Sequence, residues 1–174
     1  TVSCFGGNNG SIQVASFGGT GTHIYSLNGV NYQSLAVFTG LYAGNYTVYV
    51  KDVTGCVKTG LVSVSQPTQL TNALTQLAAT CYGSSTGVLT AVVSGGTPAY
   101  LYSLDGISYQ TTNVFNNLPA DTFLLRVKDA NNCQLATSLI ITQPSQITAT
   151  VNTTNATCTT SNGSIMAMAT GGSG

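Results

Sequence analysis

Residues 46–56 read Tyr46-Thr47-Val48-Tyr49-Val50-Lys51-Asp52-Val53-Thr54-Gly55-Cys56, and this stretch decides the fold. Its alternation predicts a half-buried strand, with Tyr46, Val48 and Val50 on one face and Thr47, Tyr49 and Lys51 on the other. A turn and a cysteine follow. Seventy-seven residues later the chain repeats the pattern as Phe123-Leu124-Leu125-Arg126-Val127-Lys128-Asp129-Ala130-Asn131-Asn132-Cys133. Phe123, Leu125 and Val127 keep the inward positions, and Lys-Asp recurs at the strand end. Asn132 stands where the first copy has Gly55. Gly and Asn enter the left-handed backbone region most easily, so one turn shape suits both copies.

Working outward, the repeat extends over the whole chain. Cys4, Cys81 and Cys158 are spaced by 77 residues, as are Cys56 and Cys133. Gly18-Gly19 matches Gly95-Gly96, Tyr25-Ser26-Leu27-Asn28-Gly29 matches Tyr102-Ser103-Leu104-Asp105-Gly106, and Gln66-Pro67 matches Gln143-Pro144. Pro cannot donate to a central ladder and restricts the residue before it, so Gln-Pro marks a boundary. The expected organisation is a module over residues 1–67, a second over 68–144, and an incomplete third over 145–174. The opening strand of a unit follows Gln-Pro, with Leu70 and Leu74 matching Ile147 and Val151. The third copy starts at Cys158, continues through Asn162-Gly163-Ser164-Ile165 to Gly171-Gly172, and stops in mid-unit. The array is therefore expected to be longer than this chain, with Ile147, Val151, Ile165 and Met168 covered by something else.

Each unit reads as short strands divided by turns, including the Asn-Gly and Asp-Gly hairpin signals at residues 28–29 and 105–106. No segment carries helical periodicity over 10–12 residues. About seven short strands per unit predict an all-β chain of tandem immunoglobulin-like β-sandwich modules, about 77 residues per repeat. A continuous solenoid fits less well, because its coils repeat over roughly 20–30 residues.

Composition restricts the function. There are four basic and four acidic residues, formal charge zero, and no Glu. A basic face for nucleic acid cannot be built, and neither can a polybasic membrane-binding segment. No apolar run approaches the roughly 18 residues of a membrane span. Hydrophobic content of 43% with spaced Val, Ile, Leu and Tyr favours a folded β protein. The Gly-, Ser-, Thr- and Asn-rich composition points to an extracellular surface protein. Thr1 begins directly in a repeat without a signal peptide, as in a mature or trimmed segment.

The cysteines are the main candidate site. One precedes the first core strand and one follows the organising strand in each complete unit. In a secreted chain this predicts one disulfide per module, Cys4–Cys56 and Cys81–Cys133, with Cys158 unpaired. Bridges between modules, Cys56–Cys81 and Cys133–Cys158, also respect the repeat. A loop of the within-module length would stabilise each unit by about 4 kcal/mol in the chain-entropy model. Ligands some fifty residues apart lack the clustering of a zinc site.

His23 is the sole histidine and its counterpart is Tyr100. Imidazole therefore cannot serve the repeat, and a recurring acid–base pair or Ser-His-Asp set is excluded. No catalytic, metal or cofactor residue is assigned. Asp52 and Asp129 suit a turn-forming role better than calcium, which gathers six to eight oxygens. Tyr25, Tyr46 and Tyr102 suit the core, while Tyr32, Tyr42, Tyr49, Tyr82, Tyr100 and Tyr109 are freer to stack on sugars. Sequons at Asn9, Asn45, Asn152, Asn155 and Asn162 permit glycosylation without arguing for it.

Taken together, the pattern resembles the SprB-type repeat of very large cell-surface adhesins from gliding Bacteroidetes. The residues that carry the likeness are Cys4, Gly10-Ser11-Ile12-Gln13-Val14, Gly18-Gly19, Tyr25-Ser26-Leu27-Asn28-Gly29, the run Phe38-x-x-Leu41-x-Ala43-Gly44-x-Tyr46 continuing to Gly55-Cys56, and Gln66-Pro67. Asp121 and Asn132 replace glycines of the first copy. The resemblance implies type IX secretion, display outside the outer membrane, and a role in adhesion or gliding. The expected function is a stalk or spacer, and the alternative is a carbohydrate- or surface-binding module. Expected partners are neighbouring repeats of the same chain, with lateral self-association into fibres and a surface polysaccharide as further candidates.

Overall fold

The computed structural model describes residues 1–173, and its regular elements are all strands. The first repeat supplies β1 (Gly10–Gln13), β2 (Ile24–Ser26), β3 (Val37–Leu41), β4 (Gly44–Lys51) and β5 (Val57–Val64). The second supplies β6 (Thr71–Leu77), β7 (Gly87–Ser94), β8 (Leu101–Ser103), β9 (Val114–Leu118), β10 (Asp121–Lys128) and β11 (Gln134–Ile141). The third stretch forms β12 (Ser145–Thr154) and β13 (Ser164–Gly172).

Two compact units result. One comprises Thr1–Thr71, Ser94–Tyr100 and Lys128–Leu135; the other comprises Asn72–Val93, Leu101–Val127 and Ala136–Gly174. These units cut across the boundaries drawn at residues 67 and 144, for a local reason. Gly96 N–H donates to the Thr68 carbonyl and Asn131 Nδ2 donates to the Ser3 carbonyl, so parts of the second repeat close onto the first unit.

In the first unit, β1 pairs with β3, and β2, β4 and β5 form a second sheet in the order β2-β4-β5. The β4–β5 hairpin runs antiparallel from Gly44↔Val64 to Lys51↔Val57. Its inward residue Val48 joins Val2, Ile12 and Val64 in the core, with Phe38, Leu41, Tyr46 and Val50 packed around them. The alternation in residues 46–51 thus does what its period requires. In the other unit, β6-β7-β9 and β8-β10-β11 form two three-stranded sheets, and β12 pairs with β13. Leu89, Leu125 and Val127 are fully buried there. The complete module is a β-sandwich of six strands, one fewer than the turn spacing predicts.

The Asn-Gly and Asp-Gly pairs do not make two-residue hairpins. Tyr25 exchanges both backbone hydrogen bonds with Gln33, and Tyr102 does so with Gln110, leaving a wide loop in each repeat. Asn28 Oδ1 accepts from the N–H groups of Val30 and Asn31 at 2.9 Å each, which holds that loop open. The buried Ser26 hydroxyl donates to Asn28 Oδ1 and accepts from Gly29 N–H, so its burial leaves no polar atom unsatisfied. Gly55 and Asn132 are both left-handed, at φ 89° and 62°, as the turn reading requires.

Candidate functional site

The site is built around Cys133. β10 ends at Lys128, and Asp129 then turns the chain back into β11. Asp129 Oδ1 accepts from Asn131 N–H and Cys133 N–H at 2.9 Å each, while Oδ2 accepts from Thr97 N–H at 2.8 Å. The carboxylate is a buried turn organiser with its oxygens committed to backbone donors. Asp52 plays the same part in the first repeat. It takes Thr54 N–H, Thr54 Oγ1–H and Cys56 N–H on Oδ1, and Thr20 N–H on Oδ2. Chiefly the Thr54 hydroxyl, aided by the backbone N–H donors, holds the Asp52 pKa below its ordinary value.

This turn delivers Cys133 to a bridge with Cys4, at a Cα–Cα separation of 5.7 Å. Asn131 Nδ2 donates to the Ser3 carbonyl at 3.0 Å beside it. Cys56, Cys81 and Cys158 are free and exposed. The pairings Cys4–Cys56 and Cys81–Cys133 are therefore not those of the structure, and neither are the Cys56–Cys81 and Cys133–Cys158 alternatives.

The geometry gives the reason. Val2 N–H donates to the Ser65 carbonyl and Gly6 N–H to Gln66 Oε1, which fixes Cys4 at the Val64 end of β5. Cys56 immediately precedes Val57, at the opposite end. Eight strand residues span about 25 Å, against the roughly 7 Å that a disulfide tolerates between Cα atoms. The second repeat is built alike. Ala79 N–H bonds the Thr142 carbonyl and Gly83 N–H bonds Gln143 Oε1, leaving Cys81 and Cys133 at opposite ends of β11. A repeat cannot close on itself; its two cysteines face different ends of the sandwich.

His23 and Tyr100 prove to be equivalent donors. His23 Nε2 lies 2.9 Å from the Gly18 carbonyl and must donate to it, so Nδ1 accepts from the Ser16 hydroxyl at 2.7 Å when the ring is neutral. Tyr100 OH donates to the Gly95 carbonyl, the same position one repeat on, at 2.7 Å. Ring chemistry differs and the hydrogen bond is kept. Among the described residues, no three of His, Cys, Asp or Glu gather as metal ligands would. Tyr42 and Tyr82 are more than half exposed, whereas Tyr25 and Tyr102 are buried.

An open groove lies along β1 in the first unit, with a volume of about 650 Å³. Ile12, Val14, Val48, Val50 and Val62 line it, and Gly18 sits at its edge. Sequence reasoning missed it, because the residues that line it match those of a well-covered core in the second repeat.

Fold and bridge together define a class: a tandem-repeat, all-β protein whose successive repeats share a disulfide. The SprB repeat family model matches two stretches, residues 2–31 and 78–108. Both matches begin just ahead of a repeat's first cysteine, in the register set by Cys4 and Cys81. SprB repeats are repeats of cell-surface proteins. No curated protein matches the chain.

Proposed function

We propose that this chain is an extracellular repeat segment of a large surface adhesin or filament. It acts as a stalk or spacer in adhesion and, by its family, in gliding motility, after export by the type IX system. It carries no catalytic step. The Cys4–Cys133 bridge is the observation that supports this most. It joins the beginning of one repeat to the last turn of the next and encloses a sequence separation of 129 residues. Disulfides persist in oxidising surroundings, which favours the cell exterior. Under tension a closed loop of this kind cannot be drawn out, so a stalk built from such links keeps its length while the non-covalent contacts inside it open and reform. Repeated along an array, the same rule pairs Cys81 with the second cysteine of a following repeat and Cys56 with the first cysteine of a preceding one.

The matched pair His23 and Tyr100 supports a spacer over a binding module. The two half-buried side chains preserve a structural hydrogen bond while their ring chemistry diverges. An exposed aromatic diverges too: Tyr42, 59% exposed, is replaced by Pro119 in the second copy.

Single-molecule stretching of the full chain tests the proposal. The oxidised chain should withhold the looped residues from extension, and reduction or Cys133→Ser should release roughly 450 Å of additional contour length at 3.3–3.6 Å per residue. Equal contour lengths before and after reduction would remove the mechanical basis of the spacer reading.

A further inference from the structure

We infer that the groove along β1 is an empty strand position, built to accept an extended segment of the β6 type from an SprB repeat. This goes beyond the spacer reading, since it specifies what completes the first module.

The second repeat shows the position filled. β6 lies beside β7 in the sheet β6-β7-β9, whereas the equivalent first-repeat sheet holds only β1 and β3. The strand lengths register the difference. β7 runs over Gly87–Ser94, but its counterpart β1 stops at Gln13, four residues early. Residues 14–17 have a strand-forming counterpart in 91–94 and no hydrogen-bonding neighbour strand of their own on that side. Side chains report the same vacancy. Val127, Leu139 and Asp129 are buried, while their counterparts Val50, Val62 and Asp52 are only half-buried. Phe17 is 96% exposed where the second copy has Ser94, whose hydroxyl lies 2.9 Å from that of Thr71.

The Gly-Gly pair gives the most specific mark. A Cβ on Gly95 would collide with the carbonyl of Gln69, and one on Gly171 would collide with the carbonyl of Gln146. Gln69 and Gln146 are themselves equivalent residues, just ahead of the strand in question. Two copies therefore use the first glycine for close approach of the same incoming backbone. Gly18 is the third such glycine, and a Cβ on it would meet nothing within 4 Å. The approach path exists and nothing occupies it.

The occupant is set by these contacts. It is a strand with the Leu70-x-Asn72-x-Leu74 alternation, in which every second residue faces the groove, and with a residue equivalent to Gln69 that passes over Gly18. In the second repeat this strand directly precedes the repeat's own cysteine. Val2 is anchored to Ser65 just as Ala79 is to Thr142, so a segment delivered ahead of Thr1 enters in the register of β6.

The experiment extends the full chain at Thr1 with ten residues copied from Thr68–Leu77, beside a version carrying the same ten residues scrambled. The copied strand should raise the melting temperature by about 5 °C or more relative to the scrambled one. It should also protect the amides of Ala15 and Phe17 from hydrogen exchange, since these alternate with the Val14 N–H already bonded to the Ala36 carbonyl on the β3 side. Gly18→Asn supplies the specific block, since Asn accepts the φ of +79° while its Cβ fills the approach path. In the extended chain Gly18→Asn should abolish the protection and return the melting temperature to that of the scrambled version. Gly40→Asn, at φ +74° with equally open surroundings outside the groove, should change neither. A copied strand that protects no better than the scrambled one overturns the inference, as does protection that survives Gly18→Asn.

Discussion

The first and second repeats place the same kinds of residue at the same positions but cover them unequally. Val127 is fully buried on β10, and Val50 at the matching place on β4 is only half-buried. Asp129 is buried, and Asp52 is not. Both side chains point inward by the same alternation, so the strand that carries them does not explain the difference. What differs is the neighbour: a third strand flanks β7 and none flanks β1 on that side. A sheet face finished by an additional strand removes apolar area from water that a two-stranded sheet leaves wet. The comparison teaches that a repeat's inward pattern is necessary for a core, while completion depends on the strand that precedes it. The hairpin β12–β13 makes the point at the other extreme. Its apolar residues Ile147, Val151, Ile165 and Met168 all stay more than half exposed, and among the described residues β12 and β13 hydrogen-bond only to each other.

Breaking the bridge should produce the largest contrast between equivalent residues. Cys133→Ser opens a loop of 129 residues' separation and should cost about 5 kcal/mol by loop-closure entropy. Cys56→Ser, its first-repeat counterpart, breaks no bond and should leave the denaturant midpoint unchanged under oxidising conditions. Equal effects would mean that the two cysteines are not distinguished as described.

Val127→Ala and Val50→Ala sharpen the comparison of coverage. Removing two methyl groups from the fully buried site should cost about 2 kcal/mol, and the half-buried site should lose about half of that. Urea melts of the two variants measure it, and a larger loss at Val50 would contradict the coverage argument. At the turns, Gly55→Val should destabilise by about 1–2 kcal/mol, since a β-branched residue is strained at φ 89°. Asn132→Gly should be close to neutral, because both residues accept that conformation.

The smallest effect concerns acid. Asp105 sits where the first repeat has Asn28, and its pKa is lowered to about 2, first by the N–H of Ile107, then by the Ser103 hydroxyl and the N–H of Ser108. Its folded pKa lies below the unfolded value, so its contribution is present above about pH 4 and fades as pH falls toward 2. Asn28 has no such titration. Asp105→Asn should therefore leave the pH 7 melt nearly unchanged and flatten the acid limb of the stability profile. A carboxyl titration midpoint for Asp105 near the ordinary Asp value would count against these bonds.

Much of this architecture was legible in residues. Alternation in 46–51 and 123–128 placed β4 and β10 with the correct face inward, and the Gly55–Asn132 exchange identified a left-handed turn. The bridge was not legible. Cysteine spacing reveals which cysteines are equivalent, but it says nothing about which end of a sandwich each one occupies. That depends on the return of β5 along β4, which carries Cys56 a full strand length from Cys4. The wide loops at Asn28 and Asp105 escaped for a related reason: the dipeptide signals a turn, whereas Ser26 and Ser103 supply the hydroxyls that widen it. The groove escaped because equivalent residues line a filled position in one repeat and an open one in the other.

Non-reducing peptide mapping of the oxidised full chain tests the shared bridge most directly. A peptide pair linking Cys4 to Cys133 is expected, with Cys56 and Cys81 recovered as free thiols. A Cys4–Cys56 pair would contradict it, since that bond requires a repeat to close on itself across the length of β5.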